Sequence, residues 1–384
     1  MRLINCTTLQ FEEFFGKLIP RYAVLSHTWE KHEISYKDYY GVDELKLKPG
    51  AQKIFKTCDI ATQNGYNYVW IDTCCIDKSS SAELTEAINS MFKWYRRAAR
   101  CIVYLSDLDS AALSPDLSAD FGRCRWFTRG WTLQELIAPR DVHFYDANWR
   151  HYGRKRELAP LIAQITGISA IVLSSGRFVP DSYSVAERMS WAALRETTRE
   201  EDLAYCLFGI FGVNIPLIYG EGSKAFMRLQ EEIVKKTTDL TIFAWKAQNI
   251  DKTQTETRRL RGIFARSPSE FAQGSGILSW PRLNPEFAVT NRGLRIETRL
   301  IKPRPKDNQG RDISVFMSLS CRRSCMSTSM HMGIWLKNDL GHYFRARADE
   351  LPVIDELDKH SKENTRLLYI VRDVDEDEEE DDKS

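Results

Sequence analysis

The first half of the chain alternates between short apolar runs and longer segments in which apolar residues recur at helical spacing. The apolar runs predict strands at residues 22–26, 68–72, 101–105 and 142–145. Residues 51–64 and 82–97 carry apolar side chains three and four positions apart, which predicts amphipathic helices, and a further helix is predicted to begin near Thr132. Strands separated by such helices form crossover connections, so the pattern predicts an α/β fold: a flavodoxin-like parallel sheet with flanking helices.

The second half of the chain shows two other patterns. Helical periodicity predicts helices within residues 185–195, 200–210 and 222–237. Alternating apolar and polar residues over 287–300 and 313–319 predict antiparallel strands, and Asn291-Arg292-Gly293 predicts a hairpin turn. A helical segment followed by a smaller β-rich domain is therefore expected after the α/β sheet.

These patterns divide the chain into four predicted regions. They are an α/β domain over residues 1–167, a helical extension over 168–245, a β-rich domain over 255–372 and an acidic tail over 373–384. The last boundary between domains falls in a polar stretch from Gln248 to Arg261. The tail carries nine acidic side chains and one lysine without an apolar face, which predicts disorder.

Charge and cysteine content narrow the classes of function. The net charge is +1, but the tail contributes −8, so the other 372 residues sum to +9. This excess is spread along the chain, which suits anionic small ligands and does not indicate nucleic-acid binding. The N-terminus lacks the pattern of an export signal, and no apolar stretch is long enough to cross a bilayer. We therefore expect a cytoplasmic protein with reduced thiols on its nine cysteines and no membrane partner.

Polar and ionisable side chains follow the first three predicted strands at their carboxyl ends. Ser26 and His27 end the first strand, Asp72 ends the second, and Asp107 follows the third. In open parallel sheets, ligands bind in the crevice beyond these strand ends. The pattern predicts that Ser26, His27 and Asp72 lie near a polar ligand.

The segment from Arg129 to Glu135 adds an aromatic ring and a carboxylate. On a helix that begins near Trp131, Glu135 lies one turn further along and on the same side as Trp131. Arg129 precedes that helix, close to its amide-rich end. An indole ring and a carboxylate on one face are suited to binding a sugar or a nucleotide.

Each of these residues also has a structural interpretation that the sequence leaves open. Glu135 can be a solvated helix residue or an ion-pair partner of Arg129. Trp131 can belong to the core, Asp72 can cap the following turn, and His27 can be a hydrogen-bonded structural histidine.

Other polar groups do not form a recognised site. Cys74 and Cys75 have no His or Asn partner nearby in the sequence, so we expect buried thiols. The segment 220–224 lacks the spacing of a phosphate-binding loop. A zinc site built on Cys321 and His331, together with Cys325, lacks a fourth ligand at the usual spacing. We therefore expect neither a metal nor a bound cofactor.

Three blocks of sequence resemble the signature blocks of the fungal heterokaryon-incompatibility (HET) domain. They run from Tyr22 to Trp29, from Trp70 to Asp77 and from Arg129 to Glu135, and the resemblance continues more weakly through residues 219–222. The resemblance implies a protein of vegetative incompatibility that signals or executes programmed cell death after non-self recognition. It also implies an incompatibility partner, which the sequence does not identify.

HET domains in turn resemble Toll/interleukin-receptor (TIR) domains, which share a flavodoxin-like sheet. Many enzymatic TIR domains carry a Trp-x-x-x-Glu segment whose glutamate is needed to cleave NAD, and Trp131 to Glu135 has this spacing. The resemblance implies that NAD is the substrate and that Glu135 acts catalytically at its ribose. Self-association is expected to accompany this activity.

The same resemblance assigns roles to the remaining residues of the predicted site. Ser26, His27 and Asp72 would line the substrate pocket, Trp131 would shape it, and Arg129 would lie beside it. Residues 27–50 depart from the TIR pattern, which leaves the identity of the substrate open. The alternative is a non-catalytic interaction module that signals through self-assembly, in which Glu135 is structural.

Overall fold

The chain folds into two compact units in a computed structural model. The structure describes residues 1–39, 45–110, 117–176, 178–248, 260–280, 284–301, 314–355 and 364–374. Unit 1 comprises Met1–Pro180 and Arg195–Tyr219, and unit 2 comprises Asp181–Leu194 and the chain from Gly220 onward.

The helical middle of the chain is shared between the two units. Most of the predicted acidic tail (375–384) and most of the predicted polar boundary stretch (249–259) lie outside the described residues.

Unit 1 is built on a seven-stranded mixed sheet. Its strands are β1 (Arg2–Asn5), β2 (Phe11–Glu13), β3 (Ala23–His27), β4 (Tyr68–Trp70), β5 (Arg100–Tyr104), β6 (Val142–Tyr145) and β7 (His151–Arg154). They lie in the order β2-β1-β4-β3-β5-β6-β7. The central four pair in parallel, whereas β1, β2 and β7 are antiparallel additions at the edges.

The order of the parallel strands confirms the predicted fold class. Counted along the chain, these four strands lie in the order 2-1-3-4, which is the flavodoxin-like arrangement. All five residues of β3 are buried, as expected for a central parallel strand with both faces covered. From β3 the chain goes first to β4 on one side and then to β5 on the other, so the fold predicts a crevice between the carboxyl ends of β3 and β5.

The predicted helices are present near their expected positions. The α-helices of the described chain are α1 (Ala51–Gln63), α2 (Ser81–Arg97), α3 (Leu117–Arg123), α4 (Thr132–Ile137), α5 (Ala159–Thr166), α6 (Ala170–Ser174), α7 (Val185–Ser190), α8 (Asp202–Tyr205), α9 (Phe208–Phe211) and α10 (Lys224–Val234). Ser80 caps α2, since its side chain accepts a hydrogen bond from the Glu83 amide. Every helix in the described part of the chain is too short or too polar to cross a lipid bilayer.

Unit 2 carries the β-rich region. Its strands are β8 (Ile277–Ser279), β9 (Phe287–Thr290), β10 (Gly293–Ile301), β11 (Val315–Arg323), β12 (Met330–Asp339), β13 (His342–Ala346), β14 (Val353–Asp355) and β15 (Asn364–Ile370). Pairing runs from β10 through β11, β12, β13 and β15 and returns to β10, so five strands form a closed sheet. The predicted hairpin turn joins β9 to β10, and Gly293 adopts a φ of 111° there.

Candidate functional site

Glu135 lies on the short helix α4, all of whose residues are buried, and only 4% of its surface is exposed. The Ser26 hydroxyl, at the end of β3, donates a hydrogen bond to the Glu135 carboxylate. The Trp126 indole N–H donates to the Ser26 oxygen at 2.8 Å, and Tyr95 of α2 also hydrogen-bonds Glu135. Four side chains from different segments therefore form one buried polar group.

The start of α4 is held by polar contacts to segments on either side. The Thr132 hydroxyl donates to the carbonyl oxygens of Trp126 at 2.5 Å and Arg129 at 2.9 Å. The buried Arg195 guanidinium donates to the same Arg129 carbonyl at 2.8 Å and to the Thr132 hydroxyl at 2.9 Å. These contacts pair carbonyl oxygens of the segment that precedes α4, and they fix where Glu135 enters the core.

The surroundings of Glu135 raise its pKa from the ordinary value of 4.5 to about 8. Burial is the main cause, and the negative charge of Asp72 adds to it. Hydrogen bonds from Ser26 and Tyr95 and the positive charge of Arg195 oppose the rise without cancelling it. The carboxyl group is therefore neutral at pH 7 in this arrangement. A strongly shifted pKa is found at functional sites and also in buried structural networks.

Asp72 follows β4 and is half-buried. Its carboxylate accepts a hydrogen bond from the indole N–H of Trp29 at 3.0 Å. Trp29 stands just beyond β3, so the carboxyl ends of β3 and β4 are joined by this contact. The structure thus brings Ser26, Asp72 and Glu135 together at the carboxyl edge of the parallel sheet.

His27 belongs to a different cluster. Successive side chains of a strand point to opposite faces, so His27 lies on the face of β3 opposite to Ser26. Its Nε2 atom is 3.3 Å from the Glu33 carboxylate, which also pairs with Lys53 of α1. Burial opposes ionisation of Glu33, but His27 and Lys53 together lower the pKa of this carboxyl group to about 2.

Arg129 and Trp131 are tied to the segment 195–202. The Arg129 guanidinium donates to the Thr198 hydroxyl at 3.1 Å, and its backbone forms a parallel bridge with Glu196. The Trp131 side chain hydrogen-bonds Asp202 and is half-buried. Burial of Glu135 excludes the alternative that it is a solvated helix residue.

Three residues around Glu135, namely Tyr95, Trp126 and Arg195, were not predicted as site residues. Tyr95 lies on the buried face of α2, where a hydroxyl group indicates a buried polar partner. Trp126 and Arg195 carry no local signal in the sequence, because their contacts join segments that only the fold brings together.

The cysteines and the possible metal ligands of the sequence do not form a nucleophilic site or a metal site in the described part of the chain. Cys74 is buried, and burial raises the pKa of its thiol, so it remains protonated. All nine cysteines are free thiols. Across the residues that the structure describes, no group of three or more His, Cys, Asp or Glu side chains is arranged to hold a metal ion.

Comparison with known proteins identifies two regions of the chain. Residues 22–120 match the family model described as Heterokaryon incompatibility protein (HET), and residues 224–284 match a domain of unknown function, DUF8212. The chain is 50% identical over 224 residues to Vegetative incompatibility protein HET-E-1 of Podospora anserina. This match covers 56% of the chain and 16% of the relative, so the chain spans a small part of that protein's length.

No solved structure matches the chain. The family match contains two of the three sequence blocks that resemble the HET signature. It covers β3, which carries Ser26, and β4, which Asp72 follows. The chain therefore carries a heterokaryon incompatibility (HET) domain and is homologous to the N-terminal region of HET-E-1.

Proposed function

We propose that the chain acts in fungal vegetative incompatibility, where it signals or executes cell death after non-self recognition by hydrolysing NAD. The HET domain and the printed name of its relative support the biological role. The catalytic part rests on one observation: the Glu135 carboxyl group lies with Ser26 and Asp72 at the carboxyl edge of a flavodoxin-like sheet. Ligands of such sheets bind at this edge.

The chemistry follows from the groups at that edge. Water replaces nicotinamide at the ribose carbon, which gives ADP-ribose, nicotinamide and a proton. Breaking this bond develops positive, oxocarbenium-like charge on the ribose, which a nearby carboxylate stabilises. The nicotinamide ring leaves as a neutral molecule, so a second carboxyl group is not needed as an acid. Glu135 is the proposed carboxylate, and Asp72 adds negative charge beside it.

The burial of Glu135 sets a condition for this activity. In the structure the carboxyl group is 4% exposed and neutral at pH 7, so it must gain access to substrate and lose its proton. The positive charge of a nicotinamide ring bound nearby would favour the ionised form of the Glu135 carboxyl group. We propose that self-association opens the site, which makes activity depend on protein concentration.

The test is an NAD-cleavage assay on the purified chain over a range of protein concentrations, with ADP-ribose and nicotinamide measured as products. Glu135→Gln keeps the shape of the side chain but cannot carry the charge, so we expect it to lower the rate by about 100-fold or more. Glu157→Gln is the matched control, because its side chain is 61% exposed. Equal background rates for the intact chain and Glu135→Gln, in a protein that still kills cells, would contradict the catalytic role.

A second candidate function is supported by the same burial. A neutral carboxyl group held by Ser26 and Tyr95 is also what a structural hydrogen bond in the core requires. The domain would then be a non-catalytic module that signals through self-assembly. In that case Glu135→Gln would leave killing intact, whereas changes at the exposed Lys93, Arg96 and Arg97 of α2 would abolish it.

A further inference from the structure

Trp29 is a large aromatic side chain that stays exposed at the carboxyl edge of the parallel sheet. It follows β3, and 54% of its surface is accessible. Its indole N–H donates to Asp72 at 3.0 Å, and the Lys78 ammonium group lies 3.5 Å from the centre of its ring. The ring is therefore held at its edge by a hydrogen bond and on one face by a cation–π contact.

These contacts explain why the ring does not fold into the core. Tryptophan side chains usually bury most of their area, because exposed aromatic surface is unfavourable in water. Here the hydrogen bond and the cation hold the ring in the loop after β3. Because Lys78 covers one face of this exposed ring, a planar ligand can stack only on the other face.

The position of Trp29 relates this surface to Glu135. Asp72 accepts the hydrogen bond from Trp29, and the negative charge of the same Asp72 raises the pKa of Glu135. Ser26, which donates to Glu135, and Trp29 both lie at the carboxyl end of β3, so the exposed ring and the buried carboxyl group share this edge of the sheet.

We infer that Trp29 is a stacking platform for a planar heteroaromatic ring of a nucleotide, and that Lys78 beside it offers positive charge to the phosphates. The inference rests on the proposed NAD hydrolysis for the identity of the ligand. Both NAD rings, adenine and nicotinamide, have the required flat π surface. Stacking on an aromatic side chain tolerates either ring, since each presents a π face.

The test is isothermal titration calorimetry on the Glu135→Gln chain, which separates binding from cleavage. Two ligands, ADP-ribose and nicotinamide mononucleotide, each carry one of the two rings. We expect Trp29→Ala to weaken binding of one of them by about tenfold or more. Trp29→Phe keeps an aromatic face and should retain most of the affinity. Phe15→Ala is the control, because Phe15 is an aromatic side chain of the same unit with 70% exposure.

The two ligands separate the two rings, and the binding assay separates this inference from the proposed function. Weaker binding of ADP-ribose alone assigns the platform to adenine, and weaker binding of nicotinamide mononucleotide alone assigns it to nicotinamide. Unchanged binding of both by Trp29→Ala, or binding of neither by the parent chain, overturns the inference. Trp29-dependent binding without NAD cleavage by the intact protein would refute the proposed function and leave the platform standing.

Discussion

At the scale of single residues, the central feature is a carboxyl group that the fold keeps neutral. Burial removes the water that would stabilise the ionised form of Glu135, and the Asp72 charge disfavours it further. Ser26 and Tyr95 supply hydrogen bonds that make burial tolerable without restoring an ordinary pKa. The same group is suited to act as an acid at neutral pH or, once ionised, to stabilise positive charge.

The raised pKa of Glu135 predicts how stability depends on pH. Between about pH 4.5 and pH 8 the folded chain holds a proton on Glu135 that the unfolded chain has released. Stability therefore falls as pH rises through this window, by about 1.4 kcal/mol per pH unit from this group. Glu135→Gln removes this dependence. We expect it to have little effect at pH 4.5 and to stabilise the chain at pH 8.

Chemical denaturation of both proteins at several pH values measures this prediction. The free energy of unfolding of Glu135→Gln minus that of the parent should grow steadily from pH 4.5 to pH 8 and level off above it. Glu157→Gln, at an exposed position, should show no such trend. A difference that stays constant across the window would show that Glu135 titrates normally in the folded chain.

Site residues could be predicted from the sequence where a local pattern marks them, and could not where their partners lie far away in the chain. The carboxyl-edge rule placed Ser26 and Asp72 near one another. The resemblance to TIR domains added Glu135, although Ser26 and Glu135 are 109 positions apart. The sequence analysis also placed His27 beside Ser26 at the same site. Neighbouring side chains of a strand point to opposite faces, so His27 lies on the other face of the sheet. The Glu33 partner of His27 was not foreseeable, because it comes from an irregular segment without periodicity.

At the scale of elements, α4 shows how a very short helix can carry a site. Six residues are too few for a helix to be stable alone, so its stability comes from packing and from contacts at its ends. Thr132 and Arg195 provide the end contacts, and every side chain of the helix is buried. Its position was predictable from the Thr132 start signal, but Arg195 lies too far along the chain to be foreseen.

The packing of α9 on α2 gives a prediction at this scale. A Cβ atom added at Gly209 would lie 2.0 Å from the Cβ atom of Phe92, far inside contact distance. We expect Gly209→Ala to destabilise the chain by about 1–3 kcal/mol or more, because a packed core does not accept extra volume there. Thermal unfolding of the purified variant measures the effect.

Gly122→Ala is the matched control for this prediction. Its added Cβ would meet only the Ile165 side chain, at 3.3 Å, and a small shift of that side chain would relieve the contact. Alanine also favours the helical conformation of α3 over glycine by up to about 1 kcal/mol. Equal losses of stability in the two variants would show that the α9–α2 contact is not as close as described.

The edge strands show where element prediction failed. The four parallel strands of unit 1 were predicted because each is a short apolar run. β1, β2 and β7 extend this sheet to seven strands without such a signal. Two of them have three or four residues with few buried side chains, and their register depends on the strand beside them.

At the scale of the whole molecule, the chain joins a HET domain to a unit of a different architecture. Unit 1 carries the parallel sheet and the Glu135 cluster, and unit 2 carries the closed five-stranded sheet and the region that matches a domain of unknown function. The β-rich character of unit 2 was predictable from alternation. Closure of its sheet was not, because the parallel pairing of β13 with β15 joins strands that are not consecutive.

The proposed role of the whole chain places NAD hydrolysis upstream of cell death. Expression in fungal cells should then lower cellular NAD before viability falls, and both effects should require the ionisable group at position 135. Glu157→Gln, produced at the same level, should behave like the intact chain because its carboxylate is exposed to solvent.

The most direct measurement follows cellular NAD and viability together over time after induction of the intact chain and of Glu135→Gln at matched protein levels. The account predicts that NAD falls before cells die with the intact chain, and that Glu135→Gln preserves both NAD and viability. Full killing by Glu135→Gln while NAD stays at its starting level would contradict it.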